Sequence, residues 1–186
     1  SEVDWLIVDH YFLSEKWENS LSIWVNNICV IDDFVNRSHK SDILINQSRL
    51  GSEKDLYNGL VPSKCRVLIG EKYVLLDEKY SFLIKENRRN RRDVKKVLIF
   101  FGASDSVNLT EKIMKLIVQL VEIGLIKNNI VFNVVTTSAN TNNGLIKKMS
   151  SRYKYFNFYL DLPNLASLMV EADLAIGGGG STSWER

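Results

Sequence analysis

Short apolar runs alternate with amphipathic stretches along the whole of this 186-residue chain, the pattern of β-strands joined by helical crossovers in a parallel sheet. In the first half, residues 5–8, 28–31, 43–45 and 67–69 read as strands. A helix is expected over residues 14–21, and another after Leu75. In the second half, Val97-Leu98-Ile99-Phe100-Phe101 reads as a buried strand. The next stretch carries Ile113, Leu116, Ile117, Leu120 and Val121 at three- and four-residue spacing, which predicts an amphipathic helix over residues 109–123. Asn108 with Glu111 suits its start and Gly124 its stop. Strands follow at 130–135, 155–160 and 174–176, with a short helix through Lys148 and another opened by Pro163. Four strands separated by three helices predict an open, doubly wound sheet. The aromatic residues Trp5, Trp17, Trp24 and Phe156 follow core periodicity.

Between the two patterned halves lies Asn87-Arg88-Arg89-Asn90-Arg91-Arg92-Asp93, polar and basic throughout. It divides the chain into residues 1–87, a basic linker at 88–95, and a second domain over 96–186. An arginine run of this kind could also meet nucleic acid. The absence of interleaved aromatics and a formal net charge of +2 argue against nucleic acid as a partner. An apolar content of 45% supports a buried core, and no apolar run reaches transmembrane length, so no membrane span is expected. Cys29 and Cys65 sit beside strands without metal-ligand spacing. They are read as reduced core thiols, hence a cytoplasmic chain. No metal and no cofactor is called for. Ser1 leads straight into a strand and Arg186 follows a helix that has just begun, so both domains are expected to be incomplete.

Open parallel sheets bind ligands beyond the carboxyl ends of their strands, which directs attention to three loops. Gly177-Gly178-Gly179-Gly180-Ser181-Thr182 follows the last strand, and glycines let a backbone approach a diphosphate closely. Thr182 with Glu185 is also a capping-box pattern, so a plain strand-to-helix turn stands beside the phosphate reading. Gly102-Ala103-Ser104-Asp105 follows a strand in the same sheet. In the first half, Asp9-His10-Tyr11 and Asp32-Asp33 close two strands. Such carboxylates serve as acid and base or cap turns. His39 lies in a polar loop, and no nucleophilic triad can be read from spacing.

At these loops the chain resembles the UDP-sugar hydrolases of pseudaminic acid biosynthesis and their spore-coat-polysaccharide relatives, which are akin to the glycosyltransferases that make lipid II. The matching blocks run in the family's order across nearly the whole chain. They are Val8-Asp9-His10-Tyr11, Val30-Ile31-Asp32-Asp33-Phe34, Asp42-Ile43-Leu44-Ile45-Asn46-Gln47, Gly70-Glu71-Lys72-Tyr73-Val74-Leu75-Leu76, Phe101-Gly102-Ala103-Ser104-Asp105 and the stretch from Ala172 to Arg186.

The resemblance implies a GT-B fold of two Rossmann-like domains with the substrate between them. It implies metal-free hydrolysis of UDP-2,4-diacetamido-2,4,6-trideoxy-β-L-altrose with inversion at the anomeric carbon. By the same resemblance Gly178, Gly179, Gly180, Ser181 and Thr182 meet the diphosphate, and Glu185 reaches the ribose. Gly102, Ser104 and Asp105 line the cleft, and Tyr11 faces the sugar. The family's catalytic histidine belongs to a glycine-rich loop that nothing here matches. This polypeptide alone is therefore expected to hydrolyse nothing at a useful rate. A UDP-sugar glycosyltransferase and a non-catalytic nucleotide-sugar-binding remnant are the alternatives.

Overall fold

The computed structural model describes residues 3–48, 54–80, 93–180 and 182–185. The chain divides into two compact units, residues 1–75 and 76–186. Most of the linker expected at 88–95 falls in a stretch, 81–92, that lies outside the described residues.

The first unit carries β1 (Val3–Asp9), β2 (Val25–Ile31), β3 (Ile43–Asn46) and β4 (Arg66–Ile69), with helix α1 (Glu15–Leu21) between β1 and β2. The strands lie in the order β1-β2-β3-β4, and every neighbouring pair is parallel. One face packs Val8, Ile28, Val30, Leu44 and Ile69 against Tyr57. The aromatic residues assigned to the core from periodicity behave otherwise: Trp5 is 46% exposed and Trp24 65%, because β1 is an edge strand and Trp24 lies in the turn before β2. Trp17 is also exposed, and of the four only Phe156 is buried.

The second unit carries β5 (Lys96–Phe100), β6 (Val131–Thr136), β7 (Phe156–Leu160) and β8 (Leu174–Gly177), with α2 (Leu109–Glu122), α3 (Asn143–Arg152), α4 (Ala166–Glu171) and α5 (Thr182–Glu185). Its sheet runs β7-β6-β5-β8, again all parallel. Alternate residues of β5 enter opposite cores. Val97 and Ile99 pack with Met114, Ile117 and Ile146 of α2 and α3, while Leu98 packs with Leu165 and Ala172 beside α4. Apolar residues on both faces are what a sheet covered by helices on both sides requires. Full burial of side chains such as Ile99 or Met114 is worth about 1.5–3 kcal/mol each.

Some local expectations shift. On α2 the buried stripe is Met114, Ile117 and Val118, and Leu116 faces outward. Asn108 does not cap the backbone of α2; its side chain instead bonds the Glu111 carboxylate. Pro163 does not open α4, which starts at Ala166. The helix through Lys148 extends to Arg152.

Among the described residues, no helix is long and apolar enough to cross a membrane. The second unit has the Rossmann-like arrangement, and its strand order contains one reversal. From β5 the chain moves outward through β6 to β7, then returns to place β8 on the other side of β5. Crossovers leaving in opposite directions open a crevice beyond the carboxyl ends of β5 and β8. The first sheet has no such reversal among its described strands.

Candidate functional site

Both glycine-bearing loops singled out in the second half rise from that crevice. Register pairs Phe100 with Gly177, so the loops after β5 and β8 leave the sheet side by side. A Cβ built on Gly178 would lie 3.7 Å from the Phe101 carbonyl oxygen, ordinary contact, and one on Gly179 or Gly180 would meet nothing within 4 Å. The bend is therefore open to solvent on its outer side. The amides of Gly179 and Gly180 make no hydrogen bond among the described residues. The bend closes onto α5 through Ser183, whose backbone amide donates to the Gly180 carbonyl at 2.8 Å and whose hydroxyl donates to the Gly178 carbonyl at 3.0 Å. Ser181 lies outside the described residues.

The neighbouring loop is built differently. Gly102 adopts φ 92°, a conformation that glycine reaches without steric cost. Ser104 is exposed. Asp105 is buried, and its two carboxylate oxygens accept from the Leu109 and Thr110 amides at 2.8 Å each. Asp105 thus satisfies the first amides of α2 and supplies the negative charge that a helix start favours. The amino end of α2 is consequently occupied, whereas the Gly179 and Gly180 amides make no hydrogen bond among the described residues.

A cleft of about 320 Å³ lies at the same carboxyl end of the sheet. Phe100, Val135 and Thr136 come from strands, Leu162, Pro163, Asn164 and Leu165 from the loop before α4, Thr182 and Glu185 from α5, and Asp77 and Tyr80 from the segment that opens the unit. The Thr136 hydroxyl is buried and makes no hydrogen bond among the described residues. Buried polar groups are nearly always paired, so an orphan hydroxyl at a cleft marks a place for a polar ligand atom or water. A larger hollow, about 690 Å³, lies by Gly59, Pro62 and Arg66 in the first unit. Arg66 begins β4, which puts this hollow at the amino ends of strands, away from where such sheets bind ligands.

In the first unit, Tyr11 follows β1 and is 58% exposed, its ring 4.8 Å from that of Phe34 after β2. His10 is exposed and its Nδ1 accepts from the Phe12 amide at 3.1 Å. Behind these loops lies a polar network that sequence reasoning missed. Glu18, His39 and Asp32 are all at most 2% exposed. His39 Nδ1 is 2.7 Å from Glu18 Oε1, and its Nε2 is 3.8 Å from Asp32 Oδ1, an ion pair beyond hydrogen-bond length. Arg37 Nη2 donates to Asp32 Oδ1 at 2.8 Å and to the His10 carbonyl at 3.1 Å. The Tyr57 hydroxyl donates toward Asp32, with Oδ2 at 3.1 Å and the carbonyl at 2.8 Å, and accepts from Asn46 Nδ2 at 3.0 Å.

Burial pulls the His39 pKa down, but the two carboxylates outweigh it and raise it to about 9. Burial likewise pushes Asp32 up, and His39, the Val35 amide, Tyr57 and Arg37 together hold it below the usual carboxylate value. The imidazolium is thus buried between two anions, a structural cation and not a proton-transfer base. A histidine in a polar loop gives no sign of this in the sequence, since its partners are 7 and 21 positions away. Asp33, in contrast, is only half-buried and bonds the Ser48 hydroxyl at 3.3 Å. No cluster of three or more His, Cys, Asp or Glu residues suited to a metal ion occurs among the described residues.

No family model matches the chain. It is 31% identical, over 92% of its own length, to the UDP-2,4-diacetamido-2,4,6-trideoxy-beta-L-altropyranose hydrolase of Campylobacter jejuni, of which it covers 58%. It is 28% identical over 98% of its length to an uncharacterized protein of Methanocaldococcus jannaschii, of which it covers 38%. The chain therefore spans about half the length of the curated relatives it matches, or less.

Proposed function

From the 31% identity to the UDP-2,4-diacetamido-2,4,6-trideoxy-beta-L-altropyranose hydrolase of Campylobacter jejuni, we propose that the second unit is the nucleotide-binding part of a GT-B-type enzyme that hydrolyses a UDP-linked sugar. The observation that carries this reading is the open tetraglycine bend at the β5/β8 reversal, its Gly179 and Gly180 amides unbonded beside the cleft that holds Glu185. Amides fixed in that position meet the diphosphate, with Ser181 and Thr182 continuing the contact, and Glu185 accepts from the ribose hydroxyls. Gly102 and Ser104 form the facing rim, and Asp105 serves it by anchoring α2. Tyr11, with Phe34 against it, offers an aromatic face for the sugar.

In the reaction, the bond from the anomeric carbon to the terminal phosphate oxygen breaks as water adds to the opposite face, which inverts the configuration. The leaving UDP gains negative charge, and preorganised amides stabilise that charge more than they stabilise the substrate. The water must lose a proton to a base on the far side of the sugar. Neither histidine of this chain suits that task. His39 is buried between carboxylates, and His10 lies in the block assigned to the sugar-side tyrosine.

The expected behaviour of the chain is nucleotide binding with negligible turnover. UDP should bind at least about tenfold more tightly than uridine, the difference reflecting charge-assisted bonds to the bend. Gly179→Val, at a position where an added Cβ meets nothing within 4 Å, should crowd the bend and bring UDP down to the uridine level while the melting temperature holds. Equal affinities for UDP and uridine in the unchanged chain would contradict the reading.

A further inference from the structure

Phosphate binding alone does not account for Asp77, Tyr80 and Glu185 lining the cleft beside the glycine bend. Carboxylates repel a diphosphate, so this part of the cleft suits a neutral group rich in hydroxyls. Tyr80 is 6% exposed, and its oxygen accepts from the Leu165 amide at 3.4 Å. That bond engages a lone pair and turns the phenolic proton away from the Leu165 backbone. The Glu185 carboxylate is among the groups that act on this hydroxyl. Burial is the largest influence and raises the Tyr80 pKa; the Leu165 amide lowers it, and the Glu185 carboxylate, by charge and hydrogen bonding, and then the Asp77 charge add to the rise. The phenol thus shares the cleft with two carboxylates able to accept from it.

A glutamate side chain samples many rotamers, and holding it in one costs conformational entropy. A donor fixed to a different segment of the chain selects among them. Glu185 is half-buried, so one oxygen turned toward Tyr80 leaves the other for the ligand. We propose that Tyr80 is a positioning residue, holding the Glu185 carboxylate in the orientation that reads the ribose hydroxyls of the bound nucleotide. The inference rests on the nucleotide reading above and goes beyond it, by assigning ribose selectivity to a residue that precedes β5 by sixteen positions.

The test compares dissociation constants of UDP and 2′-deoxy-UDP for the unchanged chain, Tyr80→Phe, Glu185→Gln and the double variant. The melting temperature of each is measured alongside. The unchanged chain should prefer UDP by roughly 10- to 100-fold, the worth of a hydrogen bond to a charged group. Tyr80→Phe should lose most of that preference through weaker UDP binding, with 2′-deoxy-UDP affinity little changed. In the Glu185→Gln background the same substitution should add nothing, because Tyr80 acts through Glu185. Three results overturn the inference: a preference that survives Tyr80→Phe, equal weakening of both nucleotides, or an unchanged chain that binds both equally. The last leaves the nucleotide reading standing, whereas an unchanged chain that binds neither removes both.

Discussion

Glu18, His39 and Asp32 come from α1, from the loop before β3 and from the end of β2, and they meet with almost no access to water. Removing one member of such a set leaves an uncompensated buried charge, so His39→Gln should cost about 3–5 kcal/mol in urea unfolding. The network also sets a pH dependence. Its histidine has a folded value of about 9 against an ordinary 6.5. That contribution, on the order of 3 kcal/mol, is fully present below pH 6.5 and is lost as pH rises through about 9. Asp32 works in the opposite sense: its folded value is depressed, so its contribution is present above pH 3.8 and is lost as acid protonates it in the folded state. Urea midpoints measured from mildly acidic to alkaline pH should fall on the alkaline side, and His39→Gln should flatten that fall. Tyr57→Phe, which leaves Asp32 and Asn46 each short of a bond, should cost about 1–3 kcal/mol.

The loops after β5 and β8 show how two similar sequences take different roles. Asp105 holds φ 41° while capping α2, so Asp105→Ala loses the cap and keeps a Cβ in the left-handed region without the short polar side chain that tolerates it. A cost of about 2 kcal/mol is expected for alanine, and less for Asp105→Gly, which tolerates that backbone; chemical denaturation separates them. The strands were legible in the sequence because each is a short apolar run that the sheet buries, from Val97 through Ile99 to Val134. The glycine bend was legible because four glycines in succession have no packing purpose. Helix details were less so. Leu116 and Met114 are equally apolar, and only the angle at which α2 meets the sheet decides that Met114 is buried. The partners of Asn108 and His39 were hidden for a related reason: a side-chain bond depends on distances between segments, which spacing along one segment does not encode.

At the scale of the whole chain, the two parallel sheets offer different features, each within its own unit. The unit over residues 76–186 has the strand-order reversal, the open bend and the cleft, while the unit over residues 1–75 offers Tyr11 and Phe34 on loops supported by the buried network. The shared blocks with the hydrolase family were visible from the sequence, and the 31% identity to the Campylobacter jejuni enzyme agrees with them. Asp105 and Glu185 look alike in the sequence as acids after glycine-rich turns, and only the structure separates them: Asp105 accepts from the first amides of α2, whereas Glu185 lines the cleft. If the second unit holds the nucleotide, UDP at about a hundred times its dissociation constant should stabilise that unit by about 2.7 kcal/mol. The central claim is most directly tested by titrating the isotope-labelled chain with UDP and following backbone amide resonances. Saturable shifts should concentrate at Gly178, Gly179, Gly180, Thr182 and Glu185, with Thr136 and Tyr80 responding at the cleft. Shifts confined to the first unit, or none at millimolar UDP, would contradict it.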